Sequence, residues 1–474
     1  MKEVNLKNKN VLCYDYGLFT ELAASLVPRF KQVFYYIPWQ DAFPSSAKQK
    51  IGMDFKGLTR VQEFWNYVDE ADLIVFFDTY TGDLANYLRR HGKRVFGAGE
   101  AEAMELKRWN MRDLQKMKGM PTQNTLKLTS VDDLETYFEG IENQVKKSYG
   151  NVNPLIVRAR MNHLPKKYNN FSRKYFVGDN SSEVEKEFLK GAKNKFVKVN
   201  NRGDIESFFA PDYNDAGSKI NSLAEKLGHR GDADEVQFVI EDSVKGIEPG
   251  FDGIQVNGQF LSPTMWGFEK KGAGYIGKIT SYDNLPGFIK ESNKPLTEIM
   301  KELKPTSSFF STEIIVGKDK KPYLIDPTVR CPAPVGSAIY SELYKNLADI
   351  LWFGAEGEVV EPETIKAKYV AGMAYDSDWA QDHELEVEFP LEVADKVKMR
   401  MAYGKNNKIY AAPGFSSILS VVGFGETIDE AVADARKSAS KVKGYGLNTG
   451  DKLDKIAEEI KEAEKDGILQ KNEF

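Results

Sequence analysis

The opening stretch of the chain alternates short apolar runs with amphipathic ones, and this constrains the fold more than any other feature. Asn10–Asp15, Val33–Ile37, Leu73–Phe77 and Arg94–Phe96 are brief and largely apolar, as strands buried on both faces are. Leu18–Phe30 and Asp83–His91 lie between them with helical spacing. Strands separated by helices pair in parallel through crossovers, so a doubly wound α/β unit is expected there. At 474 residues the chain is long enough for about three domains.

The remainder is less regular. After Pro121 a strand is expected at Thr125–Leu128, then a helix opened by Ser130, with Asp132 and Asp133 in its first turn. The 144–195 stretch gathers Lys166-Lys167-Tyr168 and Arg173-Lys174-Tyr175. It reads as a solvated, charged insertion, with a single-stranded nucleic-acid contact as the alternative. From Lys195 to Asp326 strands dominate, with one helix near Ala216–Leu227. Beyond Lys366, strands and a helix over Thr427–Val442 suggest a small α+β domain, and Asp451–Glu464 a surface helix.

Composition narrows the partners. A net charge of −5 gives no bulk attraction to nucleic acid or anionic lipid. No apolar run approaches the roughly 18 residues of a membrane span, and Met1–Lys7 lacks a signal-peptide core. The two cysteines, Cys13 and Cys331, are far apart in sequence, which fits a reducing compartment and argues against a disulfide framework or a zinc site. A cytoplasmic protein, monomeric or homodimeric, is expected.

Candidate chemistry concentrates in three places. Phe238–Asp242 is an apolar strand ending in Glu241 and Asp242, followed by Gly246 and Glu248. Such an end can offer backbone groups and a carboxylate to a flat heteroaromatic edge, and a further acid to ribose hydroxyls; a structural turn is the alternative. Ser311–Val316 and Tyr323–Asp326 form a hairpin across Gly317–Pro322. If Val316 faces Tyr323, Glu313 lies opposite Asp326, a repulsion that a hard cation such as Mg²⁺ would relieve. Pro327 is expected to stop that ladder, leaving Thr328 and Arg330 at the strand end, with Arg330 able to grip a phosphate or carboxylate. Lys198, in the strand Phe196–Asn200, is either an edge residue or a phosphate ligand. Lys271, Gly272, Gly274 and Gly277 read as a glycine-rich loop able to approach a small substrate or phosphate.

The order of these parts resembles the ATP-grasp ligases, and within them phosphoribosylamine–glycine ligase. The resemblance rests on Ala71–Val75 through Val95-Phe96-Gly97, on Lys107 followed by Gly119-Met120-Pro121-Thr122, on Phe196-Val197-Lys198, on Ile240–Glu248, and on Val421–Thr427 with the helix after it. It implies an N-terminal doubly wound domain over 1–105, a central ATP-grasp domain over 106–350 and a small α+β domain over 366–474. Lys107 and Lys198 would contact ATP phosphates, Glu241 the adenine and Glu248 the ribose. Glu313, Asp326 and Thr328 would hold Mg²⁺, or Mn²⁺ in its place. Arg330 and Lys198 would assist phosphoryl transfer.

The implied reaction joins a small-molecule carboxylate to an amine through an acyl phosphate. The chain departs from the family pattern in two places: Asp326-Pro327-Thr328 replaces Glu-x-Asn, and Asp15–Phe19 carries one glycine where a glycine-rich turn holds a phosphate. The amine is therefore expected to differ from phosphoribosylamine. The alternatives are a true phosphoribosylamine–glycine ligase, a kinase of the same fold, and a non-catalytic ATP-binding protein.

Overall fold

The computed structural model describes residues 4–38, 47–129, 137, 195–199, 208–210, 237–242, 244–270, 274–317, 319–332, 335–470 and 473–474. The helices expected after Ser130 and at Ala216–Leu227, and the 144–195 insertion, lie outside these residues. The chain forms two units: Met1–Ala103 with Gly246–Phe474, and Met104–Lys245.

The first unit begins with a parallel sheet of β1 (Asn10–Tyr14), β2 (Gln32–Tyr36), β3 (Thr59–Val61), β4 (Leu73–Phe76) and β5 (Val95–Phe96). Their spatial order is β3-β2-β1-β4-β5. This is the doubly wound sheet expected from the apolar runs, with β3 added. β3 was not foreseen because Thr59-Arg60-Val61 is too short and polar to stand out. The helix expected over Leu18–Phe30 is confined to Thr20–Ala24, with turns after it.

The second unit holds an antiparallel sheet of β6 (Thr125–Leu128), β7 (Lys195–Val199), β8 (Phe208–Ala210) and β9 (Phe238–Asp242), in the order β6-β9-β7-β8.

Returning to the first unit, the chain adds β10 (Gly246–Ile247), β11 (Pro249–Val256), β12 (Gln259–Phe260), β13 (Thr264–Lys270), β14 (Gly274–Thr280), β15 (Ser307–Gly317) and β16 (Pro322–Thr328). Then come β17 (Tyr369–Asp376), β18 (Leu385–Glu388), β19 (Val397–Met399), β20 (Ala402–Lys405), β21 (Lys408–Ala411) and β22 (Ser417–Gly425). The main path runs β10-β15-β11-β13-β14-β17-β22-β19. The C-terminal strands thus extend the same sheet, β17 pairing with β14 at Tyr275↔Gly372.

A helix over Gly287–Glu302 covers strands β15 and β16. It was not anticipated, because Pro295 sits inside it and an interior proline normally argues against a helix. Its buried stripe of Ile289, Ser292, Asn293, Leu296 and Met300 follows helical spacing, and packing along that face outweighs the lost hydrogen bond. Helix Ile428–Ala439 starts as its sequence predicts: the Thr427 hydroxyl accepts from the Glu430 N–H, and the Glu430 carboxylate accepts from the Glu426 N–H.

That helix lies on β22 at Gly423, where an added Cβ would stand 2.1 Å from the Ala435 nitrogen. Neither element can retreat without opening the core. Gly423→Ala is therefore expected to cost about 1–3 kcal/mol, read as a lowered melting temperature; an unchanged melt would show that the contact yields.

Candidate functional site

Strands β15 and β16 carry the paired acids. Val316 pairs with Pro322, Ile315 with Tyr323 and Ile314 with Leu324, and the register then shifts so that Glu313 faces Asp326. The expected pairing of Val316 with Tyr323 is therefore corrected by one residue. A β-bulge at Ile325 absorbs the difference and restores the predicted meeting of the two carboxylates. Pro327 does not end the ladder as expected: it pairs with Thr312, and Thr328 with Ser311. Among the described residues β16 pairs only with β15, and an edge strand tolerates a residue without an N–H.

Side chains alternate along a strand, so Ser311, Glu313, Asp326 and Thr328 share one face. Glu313, Asp326 and Thr328 are half-buried. Two carboxylates with hydroxyls beside them form a hard oxygen donor set. Among the described residues no group of three or more His, Cys, Asp or Glu converges on one point. A pair is what Mg²⁺ commonly takes from a protein while keeping positions for water and phosphate oxygens, so the residues fit such an ion.

Glu313 and Thr328 open onto a cavity of about 300 Å³, also lined by Glu248, Asp252, Tyr275 and Arg330. Arg330 is held in place: Nη1 donates to the Cys331 carbonyl at 3.2 Å, and Nε lies 3.5 Å from the Asp78 carboxylate. The cavity thus gathers Glu248, Glu313, Thr328 and Arg330 from the sequence-predicted set.

Asp252 and Tyr275 were not anticipated. Asp252 is buried on β11, and Tyr275 Oη donates to its Oδ2 at 3.0 Å. Burial pushes the Asp252 carboxyl up to about 7, against the Tyr275 hydrogen bond and with the charge of Glu313 adding to it. An acid in the middle of a strand that is otherwise largely apolar was the available signal.

Gly274 and Gly277 are not loop residues, contrary to expectation: both lie in β14, paired with Lys270 and Gly267. Gly267 and Gly277 meet so closely that a Cβ on Gly267 would stand 2.6 Å from the Gly277 Cα. These glycines permit strand contact. Lys271 and Gly272 lie outside the described residues.

In the second unit, β9 is the central strand, with Glu241 opposite Thr125 on one side and Phe196 on the other. Lys198 is opposite Val239, one residue beyond the reach of β8. Lys107 is exposed and precedes helix Arg108–Met117, its carbonyl accepting from the Met111 N–H. The Glu241 side chain is only 2% exposed and is gripped by Arg112. Nη2 donates to Oε2 at 3.0 Å, Nε donates to Oε1, and Arg112 also reaches Gln115. The Glu241 carboxylate therefore faces a buried guanidinium. The need for a counter-ion was legible in a strand-ending acid, but not that Arg112 supplies it.

At the N-terminal sheet, the Asp15 carboxylate accepts from the Tyr16 N–H at 2.7 Å and the Phe19 N–H at 2.9 Å, and from the Tyr35 hydroxyl. Two of the N–H groups after β1, where a helix start could meet a phosphate, are thus taken by the chain's own carboxylate.

Two outcomes are expected. Arg112→Leu leaves Glu241 buried without its partner and should cost about 3–5 kcal/mol, whereas Arg112→Met with Glu241→Leu should recover much of the loss in thermal melts. Asp252 binds its proton more tightly folded than unfolded, so its stabilising effect is full below about pH 4 and lost as pH rises through about 7. Asp252→Asn should therefore melt above the parent at pH 8, with the gap closing on acidification to pH 4.

No protein-family model and no curated protein matches the sequence. Solved structures do match over nearly the whole chain. Phosphoribosylamine–glycine ligase from Thermotoga maritima aligns with a TM-score of 0.62 at 15% identity, covering 93% of this chain and 99% of that one. A biotin carboxylase–β,γ-ATP complex from Campylobacter jejuni aligns at 0.55 and 13% identity, covering 94% of each chain. An L-amino acid ligase from Bacillus licheniformis aligns at 0.52 and 14% identity, covering 93% of this chain and all of that one. At these identities the likeness is one of fold, and the fold that this chain shares with them is that of the ATP-grasp ligases.

Proposed function

We propose that the protein is an ATP- and Mg²⁺-dependent ligase that joins a carboxylate to an amine through an acyl phosphate. The observation that carries this reading is the facing of Glu313 and Asp326 across the bulge, next to a cavity lined by Arg330. The ATP-grasp fold supports it.

In this reading the substrate carboxylate attacks the γ-phosphorus, the bond to the β-γ bridging oxygen breaks, and ADP leaves. The amine nitrogen then attacks the acyl carbon, phosphate departs with the C–O bonding pair, and the nitrogen loses a proton. Glu313 and Asp326 hold the metal, with Thr328 beside them. Bound Mg²⁺ supplies neutralisation of charge on the phosphate oxygens. Mn²⁺ suits the same oxygen donors.

Arg330 holds the transferring phosphoryl group or the substrate carboxylate in its planar fork. Lys107 and Lys198 meet the phosphates and Glu248 the ribose hydroxyls. Strand β9 offers the adenine its main chain beyond Glu241, whose own carboxylate is engaged by Arg112. Two buried thiols, Cys13 and Cys331, suit a reducing compartment such as the cytoplasm. No described helix is long and apolar enough to cross a membrane.

The experiment is an incubation with ATP, Mg²⁺ and pools of carboxylic acids and amines, following ADP release and new masses. ADP formation should require both an acid and an amine. Glu313→Gln and Asp326→Asn should each lower turnover at least ~100-fold, in line with the loss of one preorganised charge contact. Undiminished turnover in both variants would remove the metal pair from the mechanism.

A further inference from the structure

The order β3-β2-β1-β4-β5 reverses direction between β1 and β4. In an open α/β sheet, ligands bind outside the carboxyl ends of the strands at such a reversal. The two segments that leave the sheet there are 15–19 and 77–81, and they are rich in aromatic side chains. The register sets Tyr14 beside Tyr36 and beside Phe76, so the three rings end their strands on one face. Tyr14 stands edge-on to Tyr36 at 5.1 Å and to Tyr16 at 5.8 Å, and Tyr16 in turn is edge-on to Tyr80 at 6.4 Å and 89°.

Tyr80 is 45% exposed and is held at φ +72°, a conformation that costs a bulky residue energy and is found where function demands it. Carboxylates outnumber cations around these rings: Asp78 and Glu102 act on Tyr16, and Glu63 on Tyr36 together with the Arg60 guanidinium. The Glu102 carboxylate is fixed by the Thr81 N–H at 3.1 Å.

Asp78 also lies 3.5 Å from Arg330, and the Cys331 N–H donates to the Phe77 carbonyl at 2.9 Å. The aromatic crevice and the cavity beside Glu313 are thus joined through one ion pair. The Asp15 carboxylate already accepts from the Tyr16 and Phe19 N–H groups, so a phosphate after β1 would meet a carboxylate in its place of approach.

We infer that this crevice, lined by Tyr14, Tyr16, Tyr36 and Tyr80 and flanked by Asp78 and Glu102, is the acceptor site and takes a cationic amine with a flat apolar body. The inference rests on the ligase reading above and names the class of its amine. Ring faces and edges suit an aromatic body, and carboxylates with tyrosine faces suit an ammonium group. The path from Asp78 to Arg330 sets the amine end toward the cavity.

The test is calorimetric titration of the full-length protein with phenethylamine, ethanolamine and ribose phosphate, each with and without Tyr80→Ala. ATP affinity is measured on the same preparations. Phenethylamine should bind at least about tenfold more tightly than ethanolamine, a margin within reach of ring stacking and cation–π contact. Tyr80→Ala should remove that margin while leaving ATP affinity unchanged, and since Tyr80 lies at the surface, 45% exposed, its loss leaves the core intact.

Binding of ribose phosphate in competition with phenethylamine would overturn the inference. So would equal affinity for the two amines, or indifference to Tyr80→Ala. Failure of the ligase reading would appear separately, as absent ATP binding, whatever the amines do.

Discussion

Two carboxylates placed opposite each other in an antiparallel ladder repel, and Glu313 and Asp326 are placed so. The sheet bears this because β15 is anchored on its other side by a long run of pairs with β11, from Gly250↔Glu313 to Val256↔Ser307. The ladder thus holds the two acids opposite each other, the pairing on which the proposed cation site rests. The bulge at Ile325 is the device that makes it: without the extra residue, the turn register would turn Asp326 to the opposite face.

Three buried acids show how the fold satisfies a carboxylate from its own groups. Glu241 is matched with a guanidinium on a neighbouring helix, an arrangement in which the desolvation of both groups is offset by two charge-assisted hydrogen bonds. Asp15 accepts two backbone N–H groups and a tyrosine hydroxyl. Asp252 has the Tyr275 hydroxyl, and burial raises its affinity for a proton. Glu313 and Asp326 differ from these three in facing each other. That contrast, more than any one distance, is what the proposed metal site rests on.

Much of the frame was legible in the residue pattern. The buried parallel strands β1, β2, β4 and β5 are short apolar runs because both faces are covered, and β6 and helix Ile428–Ala439 follow from strand composition and capping chemistry. The helix over Gly287–Glu302 was hidden by Pro295, since a local rule cannot weigh the burial that overrides it. The glycines at 274 and 277 were misread for a related reason. Glycine marks a loop locally, but here a Cβ at 274 would press on Leu453 and one at 277 on the Tyr275 ring.

The residue order by itself determined the strand-and-helix alternation of the N-terminal sheet and the hairpin of β15 and β16. These follow from periodicity and from side-chain type, which are local properties. Tertiary structure alone decided that Arg112 neutralises Glu241, that Asp15 accepts from the Tyr35 hydroxyl, and that Asp252 and Tyr275 line the cavity with Arg330. Each joins groups through folding rather than by neighbourhood in the chain. Arg112 and Glu241 lie 129 residues apart, and no spacing rule reaches across such a distance.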